Sequence, residues 1–289
     1  MIGWFGFNFV GNMTKKRNVK LVVISDTHLG TIGSRAKELH QYLKSIQPET
    51  IVLNGDIVDL WQFSKRHWNK YHTKVIKQIL KFISDGVKVH YIAGNHDEAL
   101  RRFLNFELEG FNISNKLSMN LDGKKAWFFH GDVFDVTMKH SRWLTRLGGF
   151  GYDLLIFLNS VVNRILTFFG REKLSFSKTI KNKVKAAVSY INSFETTVVE
   201  IAMRNNFDFV ICGHIHQPVI KKVKSKSKSV VYLNSGDWIE NMTALEYNNK
   251  KWSIFNYNSE LFQNNVEDHD YKDIKTLFSD LVEDITITT

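Results

Sequence analysis

The chain alternates between runs that are apolar at nearly every position and stretches in which apolar residues return every three to four positions. Four runs, KLVVISD (20–26), TIVLNGD (50–56), VKVHYIAGN (87–95) and FDFVICGH (207–214), are rich in β-branched and apolar residues. Near-continuous runs of that length predict strands covered on both faces. Helical periodicity over 34–46 and 69–84 separates the first three, so the order predicts β-α-β-α-β. A sheet of this kind carries its functional residues at the carboxyl ends of its strands.

Beyond residue 115 the pattern shortens and alternates. KLSMNLDGKKAWFFHGD predicts a hairpin turning at Asp122-Gly123, and 218–257 predicts three or four further strands in mixed pairing. Residues 137–196 interrupt the strands with helical runs from Arg142 to Leu147, Tyr152 to Phe169 and Lys178 to Val199, which predicts an inserted helical cap. From Tyr271 onward, Ile274, Leu277, Phe278, Leu281, Val282 and Ile285 share one helical face suited to docking on the body. The expected division is therefore an N-terminal extension (1–19), a main domain (20–262) carrying the 137–196 insertion, and an acidic helical tail (263–289).

At 289 residues and 43% hydrophobic content, the chain can bury one large core or two modest ones, which excludes a disordered chain. Cys212 is the lone cysteine, so neither an intramolecular disulfide nor a thiolate cluster can form. Nothing asks for an oxidising compartment, and the expected location is cytoplasmic. The apolar start MIGWFGFNFV has no basic segment before it and no small-residue cleavage site, so a signal peptide is not expected, and Met13 offers an alternative start. No apolar run reaches the length of about 20 residues needed to span a bilayer. The formal charge is +10, yet residues 260–289 hold eight carboxylates against Lys272 and Lys275, so the remaining body is more basic still. That balance favours an anionic partner: a phosphate ester, a nucleic acid or an acidic lipid surface.

Each predicted strand ends in residues suited to metal binding. DTH supplies Asp26 and His28, NGDIVD supplies Asp56, GNHD supplies Asn95, His96 and Asp97, FHGD supplies His130, and GHIH supplies His214 and His216. Singly, each reads as an ordinary turn, a capping Asp or a surface His. In an extended segment residues two apart project to one side, so the Asp-x-His and His-x-His pairs can each converge on one site. Such sets at the ends of successive strands point together to a metal centre.

In the same order these motifs resemble the five signatures of the calcineurin-like metallophosphoesterases: D-x-H, GD-x-x-D, GN-H-D/E, a strand-end H, and GH-x-H. The resemblance implies a four-layer α/β/β/α sandwich with an inserted helical cap. It implies one metal held by Asp26, His28, Asp56 and His216 and a second by Asp56, Asn95, His130 and His214, with Asp56 bridging. Two divalent ions against two carboxylates leave a positive site, suited to a phosphoryl oxygen. The Asp/His/Asn donor set accepts Mn²⁺, Fe or Zn, and Mn²⁺ is the expected ion. His96 would then reach the substrate phosphate, stabilising charge or protonating a leaving oxygen, with Asp97 orienting its ring.

SDTHLGT, NGDIVDLWQF with its Trp61, HGDVFD with Asp132, and the cap between the fourth and fifth signatures look like the UDP-2,3-diacylglucosamine diphosphatase branch. That likeness implies hydrolysis of a lipid-linked pyrophosphate at the inner face of the inner membrane, releasing UMP and an acylated sugar phosphate. Its best-known members read Gly-Asn-Arg-Asp where this chain reads Gly-Asn-His-Asp. Arg supplies fixed charge for a phosphate leaving group, whereas His keeps proton donation available for an alkoxide. The cap adds ten basic residues, from Lys139 to Lys185, interleaved with aromatics. Arg142, Trp143 and Arg146 are the expected substrate contacts in a lid that buries acyl chains beside an anionic membrane. The plainer alternative is a helical hairpin packed on the sheet with a solvated basic face. A nuclease or cyclic-nucleotide phosphodiesterase would use the same metals, although no specific nucleic-acid module is visible, and a non-catalytic scaffold would usually have lost some of these donors.

Overall fold

The computed structural model describes residues 16–137, 176–225 and 228–262. Strands β1 (Arg17–Ile24), β2 (Ile46–Asn54) and β3 (Lys88–Ile92) alternate with helices α1 (Ala36–Ser45) and α2 (Lys70–Ser84), following the periodicity. β1 opens at Arg17, so it takes in the end of the stretch expected to be an extension. A capping box starts α2: the Asn69 side chain accepts from Tyr71 N, and His72 reaches back to the Asn69 backbone.

There follow β4 (Glu107–Leu108), β5 (Phe111–Ser114), β6 (Lys116–Leu121) and β7 (Lys124–Phe129). β6 and β7 form the expected hairpin, its turn made by Asp122 at φ 52 and Gly123 at φ 85. Two left-handed residues in succession match the twist of the flanking strands. A short helix α3 (Val133–Thr137), a long helix α4 (Phe176–Arg204) and β8 (Phe209–Cys212) come next. Residues 218–257 supply β9 (Val219–Lys224), β10 (Ser229–Asn234), β11 (Thr243–Asn248) and β12 (Lys251–Asn256).

The strands form a seven-stranded sheet, β12-β11-β1-β2-β3-β5-β4, and a five-stranded sheet, β6-β7-β8-β10-β9. β1, β2, β3 and β5 run parallel in the first, and β7, β8 and β10 in the second. Alternation along β1 defines the layers. Val22 and Ile24 face Leu39, Tyr42, Val75 and Phe82 of α1 and α2, while Leu21 and Val23 face Phe128, Ile211 and Leu233 of the other sheet. On the far side of that sheet, Val210 and Cys212 lie under Phe194, Val198 and Ala202 of α4. The result is the helix-sheet-sheet-helix sandwich. Full burial of side chains such as Phe128, Ile211 and Leu233 stabilises by about 1.5–3 kcal/mol each, so the two sets of strand ends are held at a fixed separation.

α4 is continuous across residue 196, where the cap was expected to end, and from Tyr190 onward it packs on the five-stranded sheet. The helical runs expected from Arg142 to Leu147, from Tyr152 to Phe169 and beyond Tyr271 lie outside the described residues. The chain divides into two compact units, Met1–Tyr257 and Asn258–Thr289, and the described part of the second is the helix α5 (Ser259–Phe262). Among the described residues no helix is long and apolar enough to cross a membrane.

Candidate active site

The carboxyl ends of β1, β2, β3, β7 and β8 meet where the sheets face each other. The loops leaving them are not extended. Asp26, His28, Asp56, His214 and His216 have φ of 51°, 43°, 54°, 66° and 52°, a left-handed region that costs a non-glycine residue about 1–2 kcal/mol. Backbone bonds hold them there: Asp26 N donates to Gly55 O at 3.0 Å, His28 N to Asp56 O at 3.0 Å, and Gly213 N to His130 O at 2.9 Å. Strain gathered on one group of side chains marks a functional site.

Two motif glycines show how tightly the donors are packed. A Cβ at Gly94 would lie 2.3 Å from Asp56 Oδ1 and 2.9 Å from His130 Cδ2, and one at Gly213 would lie 2.6 Å from Asp26 Oδ2. Any side chain at either position would displace a donor.

Two groups of donors that share no residue result, and a third, His28, Asp56 and His96, overlaps both. Asp26, His28 and His216 bring three ligand atoms within 4.8 Å of one another, and Asp56, His130 and His214 do the same. His216 Nε2 lies 3.1 Å from Asp26 Oδ1 and His130 Nε2 lies 3.2 Å from Asp56 Oδ2. Asp56 Oδ2 is also 3.8 Å from His28 Nε2, so this oxygen lies between the groups. Its partner Oδ1 accepts from His96 N at 2.8 Å, which fixes the carboxylate. The Asp-x-His pair thus converges on one group, whereas His214 and His216 fall in different groups, although all four residues share the left-handed conformation.

The donor atoms fit cations. His28 Nε2 and Asn95 Oδ1 are buried without hydrogen-bond partners, and Asp26 Oδ1 and His130 Nε2 are buried with only the charge contacts to His216 and Asp56 given above. That arrangement is costly unless something positive binds the carboxylate and amide oxygens and the free imidazole nitrogens. The opposite ring nitrogens are occupied: His130 Nδ1 donates to Asn54 O at 2.9 Å, and His28 Nδ1 meets Asp59 Oδ2 at 3.0 Å. Such bonds aim the free nitrogen at the site, as they do for metal-ligating imidazoles. His214 Nε2 lies 2.9 Å from Asp135 Oδ1, which also accepts from the Tyr190 hydroxyl, and His216 Nδ1 lies 3.8 Å from Asp237 Oδ2.

Charge coupling follows the geometry. Burial alone would raise the Asp26 carboxyl, but His216 and His130 draw it down to about 2. Burial would lower His216, yet Asp26 and Asp237 push it up to about 9. Asp56 is likewise held well below the usual carboxylate range, chiefly by His130 against burial, and His130 is raised well above the usual imidazole value by Asp56.

His96 sits beside the Asp56 group with its side chain 16% exposed. Its Nδ1 lies 2.8 Å from Asp59 Oδ2, the same oxygen that holds His28. Burial would depress His96, and the Asp59 bond and the Asp56 charge outweigh it to raise its pKa. Asp97 does not orient this ring, contrary to expectation. Its carboxylate accepts from Ile57 N at 2.9 Å, the Tyr91 hydroxyl at 2.6 Å and Gly94 N at 2.5 Å, so it ties the loop after β3 to the loop after β2. The residue after His96 in sequence faces away from it, and the orienting carboxylate comes from another strand.

Asp59, Asp135 and Asp237 are the residues that sequence reasoning did not assign. Asp59 was legible as the second Asp of GDIVD, and Asp237 in the SGDW that follows β10. Asp135 had only the final position of HGDVFD to mark it. Asp132 instead accepts from Arg101 Nη2 at 2.6 Å, bracing the loop after β7 to the turn after His96. Arg142, Trp143 and Arg146 lie outside the described residues.

A two-sheet sandwich whose strand ends gather carboxylates and imidazoles around unpartnered donor atoms defines a metal-dependent phosphoester hydrolase. The family model of calcineurin-like phosphoesterases matches residues 19–218, and the chain belongs to that family. It is similar to the UDP-2,3-diacylglucosamine hydrolase of Aliivibrio fischeri (strain MJ11), at 22% identity over 81% of this chain and 97% of that protein. It is also similar to the UDP-2,3-diacylglucosamine hydrolase of Porphyromonas gingivalis (strain ATCC BAA-308 / W83), at 25% identity over 76% and 90%. A solved phosphoesterase from E. coli aligns with 83% of this chain and 93% of its own at 14% identity and a TM-score of 0.40, too distant to carry an argument.

Proposed function

We propose that the protein hydrolyses a lipid-linked pyrophosphate, UDP-2,3-diacylglucosamine, using two divalent cations, with Mn²⁺ the expected ion. Asp26, His28 and His216 would hold one cation and Asn95, His130 and His214 the other, with Asp56 shared. When bound, the cations would act as Lewis acids on the phosphoryl group and lower the pKa of water at the site. The observation that carries the metal assignment is the set of buried, unpartnered donor atoms on both sides of Asp56. The substrate reading is supported by relatives bearing that substrate's name, aligned over most of both chains.

The protein's own groups do the following. Buried Asp26 and Asp56 stay ionised throughout the neutral range and keep the donor set ready. His96 is bound through Nδ1 to Asp59, so Nε2 is the nitrogen left to meet a phosphoryl or leaving oxygen. A protonated ring there would both neutralise charge and carry a proton. Water adds to one phosphorus, the P–O–P link breaks, and UMP and 2,3-diacylglucosamine 1-phosphate leave with the water's atoms divided between them.

His96 also favours a second reading, a phosphodiesterase that expels an alkoxide, because that leaving group needs the proton that an Arg cannot supply at neutral pH. The test is a panel on the Mn²⁺-reconstituted protein: UDP-2,3-diacylglucosamine in detergent micelles, aryl phosphomonoesters, aryl phosphodiesters and single-stranded DNA. A kcat/KM at least about tenfold higher for the nucleotide lipid supports the proposal. Preference for a simple diester or for DNA replaces it with the second reading.

A further inference from the structure

The loop after β2 is anchored at the site yet presents apolar side chains to solvent. Leu60, Trp61 and Phe63 are 44%, 46% and 44% exposed, and Ile32, on the loop after β1, is 84% exposed. The two loops are one unit. Asp59 N donates to Leu29 O at 3.1 Å, Ser64 N to Gly30 O at 3.2 Å, and the Phe63 ring lies over Gly30, 2.7 Å from where a Cβ would stand. That unit is fixed to the site's mouth: Leu60 N donates to His96 O at 2.9 Å, Trp61 N and Gln62 N donate to Asp59 Oδ1 at 3.0 and 2.7 Å, and the Trp61 ring tilts against His96 at 4.8 Å.

Such a rim would be an aggregation liability in water unless something covers it. Its charge says what. Across 29–35 and 57–69 the sole carboxylate is Asp59, which is buried, while Lys65 and Arg66 are exposed on the second loop and Arg35 is exposed on the first, 3.9 Å from Glu38 of α1. Exposed Trp, Phe and aliphatic side chains set among cations match the interface of an anionic bilayer, where rings sit at headgroup depth and each basic side chain adds attraction.

We infer that this rim, Ile32, Leu60, Trp61 and Phe63 with Arg35, Lys65 and Arg66, seats the mouth of the site on an anionic lipid bilayer. The inference deepens the lipid-substrate reading and rests on it, since it brings the site to the surface where an acylated substrate lies. It assigns a contact to the loops after β1 and β2.

The test is sedimentation of the full chain with phosphatidylcholine vesicles containing or lacking 30% phosphatidylglycerol, compared with Ile32→Glu/Lys65→Glu/Arg66→Glu and with the milder Lys65→Gln/Arg66→Gln. Wild type is expected to bind the anionic vesicles. The triple variant is expected to bind them on the order of 30-fold or more weakly and the double variant less severely, with turnover of a soluble aryl phosphodiester unchanged in both. No vesicle binding by wild type, or equal binding by all three proteins, overturns the inference. So does wild-type self-association that the triple variant abolishes in sedimentation velocity, which would make the rim a contact between copies. Hydrolysis of the nucleotide lipid in micelles needs no bilayer. The substrate reading therefore fails or stands on that assay, and the docking inference on vesicles.

Discussion

The two donor groups are built from similar residues and differ in how they are enclosed. His130 and His214, beside Asp56, have side chains 0% and 3% exposed, and each is braced by a 2.9 Å contact, to Asn54 O and to Asp135. His216, beside Asp26, is 34% exposed, and its outer nitrogen is 3.8 Å from Asp237. The Asp56 group is therefore a dry, braced cradle, while the Asp26 group opens toward solvent through one ligand. The difference teaches a division of labour for the proposed centre: the first group would hold a cation firmly, and the second would leave room on its cation's outer side.

The largest expected effect comes from abolishing the comparison altogether. Asp56→Ala removes the carboxylate between the groups, so it should lower bound Mn²⁺ at both and cut kcat by about 10³-fold or more, given that a single charge-stabilising donor is worth about 10²–10³. His28→Ala takes one donor from one group and should lose less metal. Elemental analysis and kinetics on the two variants decide this, and equal metal loss would count against Asp56 as the shared ligand.

Next comes the imidazole that binds no cation in this scheme. His96→Ala should lose about 10²-fold in kcat with metal content intact, and Asp59→Asn about 10- to 100-fold, because Asp59 holds both His96 and His28. His96→Arg separates the leaving groups. It should retain substantial activity on a pyrophosphate and resemble His96→Ala on an alkyl phosphodiester, as measured by kcat on both.

The enclosure itself is tested by stability. In the metal-free protein His130→Ala breaks a fully buried ion pair with Asp56, expected to cost about 3–5 kcal/mol. His216→Ala, at the partly exposed position, should cost clearly less. Urea denaturation of both variants after chelation makes the measurement, and equal losses would erase the distinction between the groups.

The smallest effect is a reversal of pH dependence. His216, raised to about 9, stabilises the metal-free fold fully below its ordinary value of 6.5 and loses that contribution as pH rises through about 9. Asp26, lowered to about 2, contributes above the usual carboxylate value and is lost only in strong acid. Without metal, the melting temperature should therefore fall between about pH 6.5 and 9. With Mn²⁺ the added stabilisation should grow over that interval, because binding must release the protons carried by the imidazoles. A metal-free protein that gains stability across the interval would contradict the Asp26–His216 coupling.

Much of this was legible in the chain. The runs ending in Asp26, Asp56, Asn95 and His214 announced buried strands and placed the donors at their carboxyl ends, since a strand covered on both faces needs apolar residues throughout and can turn polar only where it leaves the sheet. The local backbone was not legible. Asp26, His28, Asp56, His214 and His216 are left-handed where extended backbone was expected, and hydrogen bonds to distant loops help to hold them so; Asp26 and His28 still share a group, whereas His214 and His216 do not. Asp97 misled for the same reason. Adjacency in sequence favoured it as the partner of His96, whereas the fold carries Asp59 over from the loop after β2 and spends Asp97 on three donors of its own.

The most direct test of the central claim, two cations held on either side of Asp56, is the metal stoichiometry of the wild-type protein after Mn²⁺ reconstitution and desalting, read by elemental analysis beside phosphoesterase activity. The expected result is close to two ions per chain, with activity rising as the second ion binds. Fewer than about one and a half ions per chain in fully active protein would contradict it.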